Sequence, residues 1–284
     1  MSIFVSTGGL AKLPGNIVAE RYLRKGIKNI ELSGGVHTPT LVEDLLKIKK
    51  EANFQVHNYF PPPKNPFVLN LASADQKISN LSLNHVYNSI ELSSRLGSKY
   101  YSFHAGFLCD LNISDLGKKI SKRKLISRDK GIEIFLKKLE LISIKAKEYD
   151  VNIMVENNVL SKNNLNEFGQ NPLLMCDHEE SKLIMENSPG NINLLVDVAH
   201  LKVSSSSLQF NPQHMFKFCD QFIKGYHLSD NNGLSDTNES FTPNAWFWKS
   251  LNKNLDYYSI EVYGADEERL LELKNLTEQK IKKS

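Results

Sequence analysis

The stretch IFVSTGGLAKLPGNIVAERYLRKGIKNIEL, residues 3–32, sets the grammar of the whole chain. Ile3 to Ser6 is a short β-rich run, Thr7-Gly8-Gly9 loops out of it, and Ile17 to Lys25 has a helical period that Gly26 stops. Ile27 to Leu32 is a second β-rich run. A strand, a helix and another strand in that order form the unit of a parallel sheet joined by crossover helices. Thr7-Gly8-Gly9 is not the glycine-rich phosphate turn with which a dinucleotide-binding open sheet usually begins. The unit therefore predicts a closed (β/α)8 barrel, provided that the rest of the chain repeats it.

It does. Ser33-Gly34-Gly35 turns the chain, and Thr38-Pro39 suits the cap and first turn of a helix with Leu41, Leu45 and Ile48 on one face. Phe54 to His57 is the third strand. Pro61-Pro62-Pro63 makes a stiff loop into a helix through His85, Ile90 and Leu96, closed by Gly97 before the strand Tyr100 to His104. A long basic loop precedes a helix from about Asp129 to Tyr149, then the strand Asn152 to Glu156. A polar connection and a short helix near Glu179 to Glu186 lead to the apolar run Ile192 to Val196, a buried strand. Ser204 to Ser207 reads as a short flexible loop, and Asn211-Pro212 as the start of another helix. Ile223 to Leu228 and Tyr257 to Val262 complete the strands, and Glu267 to Lys280 is amphipathic. These are roughly eight strand-then-helix units, an α/β (β/α)8 TIM barrel in one domain spanning residues 1–284.

Composition agrees. Apolar residues make up 40% and charged residues 24%, far from the low-hydrophobicity regime of disorder. The formal net charge of +3 does not suggest a nucleic-acid or membrane-surface binder. Cys109, Cys176 and Cys219 form no CxxC pair, so neither a disulfide framework nor a thiolate metal site is expected. No apolar stretch reaches the roughly 20 residues that span a bilayer, and no charged leader precedes the first strand. A cytoplasmic protein is expected.

Acidic residues and histidines recur at the ends of these strands: His57, His104, Glu156, Asp197, His227 and Glu261. The C-terminal strand ends of a barrel converge on one face, where active sites are built. Burying so many such groups is costly unless they are paired or metal-bound, and a shared metal is the economical common cause. Glu156, Asp197, His227 and Glu261, three carboxylates and one imidazole, make an oxygen-rich set suited to Mn²⁺, Mg²⁺, Co²⁺ or Zn²⁺. One such residue alone would read as a hydrogen-bonded polar group at the rim.

The motifs Ile153-Met-Val-Glu-Asn-Asn158, Val196-Asp-Val-Ala-His200, His227-Leu-Ser-Asp-Asn-Asn-Gly233 and Ile260-Glu-Val262 resemble, in this order, those of the xylose isomerase-like barrel superfamily. That group includes sugar isomerases and epimerases and zinc-dependent abasic-site endonucleases. The resemblance covers nearly the whole chain. It implies that Glu156, Asp197, His227 and Glu261 ligate one divalent metal and that His200 contacts substrate or a further metal. His57 and His104 resemble the histidines that hold an additional zinc in the endonucleases, bridged by the residue matching Glu156. Where those enzymes carry Asp-x-His for a third zinc, this chain has Asp236-Thr237-Asn238, and asparagine is a poor substitute for an imidazole ligand.

Two functions follow from this set. The first is a sugar or sugar-phosphate isomerase or epimerase in which Glu156 and Glu261 move protons next to a metal-polarised carbonyl. His200, Asn158, His57 and His104 would then hold substrate oxygens, with a small carbohydrate as the partner; the resemblance also admits a homo-oligomer, since related barrels often form dimers or tetramers. The second is phosphodiester hydrolysis using two or more metals, which keeps His57 and His104 employed but lacks an obvious set of basic strand-end loops for a DNA backbone. The basic run Lys118, Lys119, Lys122, Arg123, Lys124, Arg128 and Lys130 reads as a solvated surface, with a phosphate-gripping lid as the alternative. Trp246, Trp248, Phe241 and Phe247 read as the packing of a helix against the barrel, and Tyr59 and Phe60 as an apolar pocket wall.

Overall fold

The computed structural model describes residues 2–115 and 119–282. Eight parallel strands close into a barrel in chain order: β1 (Ser2–Ser6), β2 (Asn29–Ser33), β3 (Asn53–His57), β4 (Tyr100–His104), β5 (Asn152–Glu156), β6 (Ile192–Asp197), β7 (Ile223–Leu228) and β8 (Tyr257–Ile260). The last pairs with the first through Ser2 to Val5 against Tyr257 to Ile260, so no edge is left open. Around them lie α1 (Gly15–Arg24), α2 (Leu41–Ile48), α3 (Gln76–Leu96), α4 (Arg128–Glu148), α5 (Lys162–Phe168), α6 (His178–Glu186), α7 (Val198–Leu208), α8 (Gln213–Phe218) and α9 (Glu267–Lys282).

Each strand is apolar on the side that meets the helices and divided on the side that faces inward. Ile30 and Leu32, Ile153 and Val155, and Leu194 and Val196 pack outward into the main core with the helix faces. Successive side chains of a strand point to opposite faces. The alternate positions therefore fill the barrel, where Phe4, Met154, Leu195 and Tyr257 form a small separate apolar floor. At Gly225 a side chain would collide with that floor: an added Cβ would lie 2.7 Å from the ring of Tyr257. Above the floor the inward positions turn polar: Glu31, His57, Ser102, Glu156, Asp197, His227 and Ser259 are all buried.

Local structure departs from the sequence reading at three places. Helix α2 begins at Leu41 rather than at Thr38-Pro39, because Leu41 N donates to Thr38 O and these residues form a lead-in turn. Ser204 to Ser207 are not a flexible loop; they belong to α7 and are mostly buried. There the Ser204 hydroxyl accepts from Leu160 N at 2.9 Å and donates to Asn158 O at 3.2 Å, so a small polar side chain lets the helix lie against the β5 loop. Between β7 and β8 the chain forms turns and no α-helix. Pro243 interrupts that segment, and Phe241, Phe247 and Trp248 fill the helix position as a ring cluster with centroids 4.7 to 5.8 Å apart, Phe241 edge-on to the other two. Gly97 does close α3 in the left-handed region, at φ 76.

The three cysteines are free and buried, and no helix among the described residues is long and apolar enough to cross a membrane.

Candidate active site

His227 lies at the centre of the polar layer. It is one residue from the end of β7, and its register partner on β6 is Asp197. Its Nδ1 lies 2.9 Å from Glu261 Oε2, 3.4 Å from Glu156 Oε1 and 3.9 Å from Asp197 Oδ2. Of the four residues expected to share a metal, Glu156, His227 and Glu261 are therefore gathered around one point with Asp197 farther out, and it is His57 whose donor atom completes the mutually close set. Glu156 Oε1 and Oε2, Asp197 Oδ2 and His227 Nδ1 are all buried without a hydrogen-bond partner. Several buried polar atoms left unsatisfied in one place carry a large desolvation cost. A cation between them removes it, and three carboxylates with one imidazole are a donor set that a divalent ion accepts. The residues present fit the metal.

On its other side, His227 Nε2 lies 2.8 Å from Glu31 Oε2, which also accepts a hydrogen bond from the Tyr257 hydroxyl. With its proton on Nε2, the ring turns the Nδ1 lone pair towards the carboxylates, as a metal ligand requires. Glu31 escaped the sequence reading because it sits two positions before the end of β2. The signal was an acid between Ile30 and Leu32, both outward-facing, which puts it inside the barrel.

The remaining histidines surround Glu156. His57 Nε2 lies 3.3 Å and His104 Nδ1 3.6 Å from Oε2, and His200 Nδ1 lies 3.4 Å from Oε1. His57 Nδ1 is also 2.9 Å from Ser102 Oγ. His200 Nε2 lies 3.2 Å from Asp236 Oδ2, so the acid of Asp236-Thr237-Asn238 meets this histidine. Donor atoms close enough to share an ion form two groups, His57 with Glu156, His227 and Glu261, and His104 with Glu156 and His200. His57 and His104 thus belong to different groups although both approach Glu156 Oε2, their rings 5.5 Å apart. Asn158 spends its amide on the carbonyls of Ala105, Gly106 and Leu174, leaving only its side-chain oxygen for a ligand.

The charges of these side chains are strongly biased by one another. Burial works against the ionised form of Glu156, but the imidazoles of His104, His227 and His57 outweigh it and hold the carboxyl well below the usual range. Burial pushes Asp197 up to about 7, with Glu156 and Asp236 adding to the rise against the pull of His200 and His227. Burial lowers His104 to about 4 despite Glu156. His227 and His200 overcome their own desolvation and rise well above 6.5, the first through Glu31 and Glu156, the second through Asp197 and Asp236.

A cavity of about 550 Å³ opens over this layer, lined by His104, His200, Asp236, Asn158 and Glu261 among others. The loop after β1 leaves room for Glu261: a Cβ on Gly8 would come to 3.0 Å from its Oε1. Tyr59 lines the cavity, whereas Phe60 is fully buried against Gly15 in the core. The basic run does not point at the cavity as a set. Arg123 pairs with Asp115 at 2.7 Å, Arg128 with Glu180, Lys119 with Glu167 and Lys130 with Glu133. Lys118 lies outside the described residues.

A protein family described as "Xylose isomerase-like TIM barrel" matches residues 25–271. The chain belongs to that family. Among solved structures, this xylose isomerase-like barrel is similar to a D-tagatose 3-epimerase-like protein (19% identity, TM-score 0.75, 99% of this chain and 97% of that one). It is also similar to an L-ribulose 3-epimerase (14%, TM-score 0.71, 99% and 94%). A third, the IOLI protein with a bound zinc atom, covers 100% of this chain and 99% of its own at 16% identity and TM-score 0.67. At these identities the likeness is one of fold. A search of curated protein sequences finds no match.

Proposed function

We propose that this chain is a divalent-metal-dependent sugar isomerase or epimerase whose metal is held by Glu156, Asp197, His227 and Glu261. The observation that carries the reading is the group of four buried, unpartnered donor atoms of Glu156, Asp197 and His227 beneath a cavity that Glu261 lines. The family and the sugar epimerases among similar folds support the substrate class. Mn²⁺, Mg²⁺, Co²⁺ or Zn²⁺ bound there would grip neighbouring sugar oxygens and make the hydrogen beside a carbonyl acidic.

The chain's own groups then divide the work. Glu261 keeps Oε2 towards His227 while Oε1 lies 3.4 Å from the Tyr263 hydroxyl, so Oε1 is placed to take a proton from one face of the sugar. Glu156 is fully buried and serves the opposite face through its contacts with His104 and His200, both of which line the cavity. His200, clamped between Glu156 and Asp236, orients a substrate hydroxyl.

The test is solvent exchange. Metal-loaded protein incubated in D₂O with a panel of ketoses and aldoses should yield an isomer or epimer carrying deuterium at the changed carbon. Glu261→Gln should lower that rate by about 100-fold or more. A metal-loaded protein that exchanges no sugar hydrogen contradicts the reading.

The second donor group, His104 with Glu156 and His200, favours one other reading, phosphodiester hydrolysis with two metals. Nicking of abasic DNA by protein carrying two metals per chain would replace the first reading with this one.

A further inference from the structure

The cavity is larger than a single sugar ring needs. Its volume of about 550 Å³ falls inside the range of roughly 300–1,000 Å³ typical of pockets for drug-sized ligands. The groups of the candidate centre that line it come from β4, α7, the position after β8 and the β7–β8 connection. Most of the remaining wall comes from the segments after β3, β4 and β5, where Tyr59, Phe67, Phe107, Leu111 and Leu173 form an apolar patch beside the polar Asn58, Ser161 and Asn163. One continuous cavity therefore joins a polar end to an apolar one.

The apolar wall is held in place. Tyr59 accepts a hydrogen bond from Phe67 N at 2.7 Å, packs edge-on against the Phe67 ring at 5.4 Å and stacks on His85 at 4.9 Å. Burial lowers His85 to about 4, so an uncharged ring backs the wall. Phe107 and Leu173 tie two of the loops through an antiparallel bridge. Ile113 and Leu234 carry the apolar lining out to the mouth, where they are 52% and 66% exposed. Among the described lining residues the lone lysine or arginine is Lys119, and its ammonium is paired with Glu167. None of the described lining residues offers an unpaired lysine or arginine to a phosphate.

We infer that the substrate of this site is a neutral sugar bearing an apolar substituent, an aryl or alkyl group, which lies against the wall of the β3, β4 and β5 loops. The inference rests on the sugar isomerase or epimerase reading and narrows its substrate. It favours an uncharged, substituted sugar over both a free sugar and a sugar phosphate.

The experiment compares kcat/KM of the metal-loaded full chain for ketohexoses in three forms: free, with a benzyl ether on the terminal hydroxyl, and with a phosphate there. Burial of the ring predicts that the benzyl ethers exceed their parents by about tenfold or more. In Leu111→Asn, checked for folding by thermal unfolding, the ratio of ether to parent should fall towards one. The wild-type comparison decides the matter even if that variant does not fold. Equal or greater turnover of free sugars or phosphates would overturn the inference and leave the isomerase reading standing. Turnover of none of the three forms would bring down both.

Discussion

At His227 one imidazole serves two sides. Its Nε2 faces Glu31 at 2.8 Å while Nδ1 faces three other carboxyl groups, so Glu31 would hold the one proton of the neutral ring on Nε2 when a metal takes Nδ1. Burial works against that charge, yet His227, His57 and the Tyr257 hydroxyl outweigh it and hold Glu31 at about 2. Glu31→Gln removes the charge and keeps the shape. Metal affinity in a titration should fall about 10- to 100-fold with the fold intact; unchanged affinity would confine Glu31 to a packing role. Asp197 behaves in the opposite sense. Burial raises it from 3.8 to about 7 in the metal-free protein, so the folded chain holds a proton that the unfolded chain releases. The associated stability is present below about pH 3.8 and is lost as the pH climbs through about 7. In metal-free protein, Asp197→Asn should flatten that decline, and an unaltered slope in denaturant unfolding would contradict the assignment.

Among the elements, the loops after β4 and β5 depend on Arg128 in the first turn of α4. Its guanidinium bonds Glu180 on α6 and the carbonyls of Leu173 and Asn171, next to the cavity wall. Arg128→Met would leave the Glu180 carboxyl nearly buried without its cation, at a cost of about 2 kcal/mol in stability. Because Arg128 is committed to the fold, any loss of kcat/KM should be the same for phosphorylated and unphosphorylated sugars. A loss confined to phosphorylated ones would restore the phosphate lid. A basic run cannot reveal this from sequence, since its acidic partners lie in other loops. The serines of α7 show a related blindness: Ser204 to Ser207 have no apolar period, and their helix is stabilised by contacts with the β5 loop. Strands β4, β5 and β7, by contrast, have the bounds that their short β-rich runs indicate.

For the molecule as a whole, the barrel is legible because eight short β-rich runs alternate with helical segments, and one closed sheet satisfies them all. Much of the candidate site is legible for the same reason: strand-end acids and histidines must meet once the barrel closes. What sequence order hides is the layer that supports them. Glu31 and His227 are 196 residues apart in the chain and become partners only through closure. Asp236 reaches His200 from a connection with no regular helix. The account as a whole depends on a cation at the point that Glu156, Asp197, His227 and Glu261 share. The most direct measurement is an anomalous-difference map from crystals grown with Mn²⁺. It should show one dominant peak within about 2.0–2.3 Å of a donor atom from each of the four side chains. No peak there, or a dominant peak held by other residues, would contradict it.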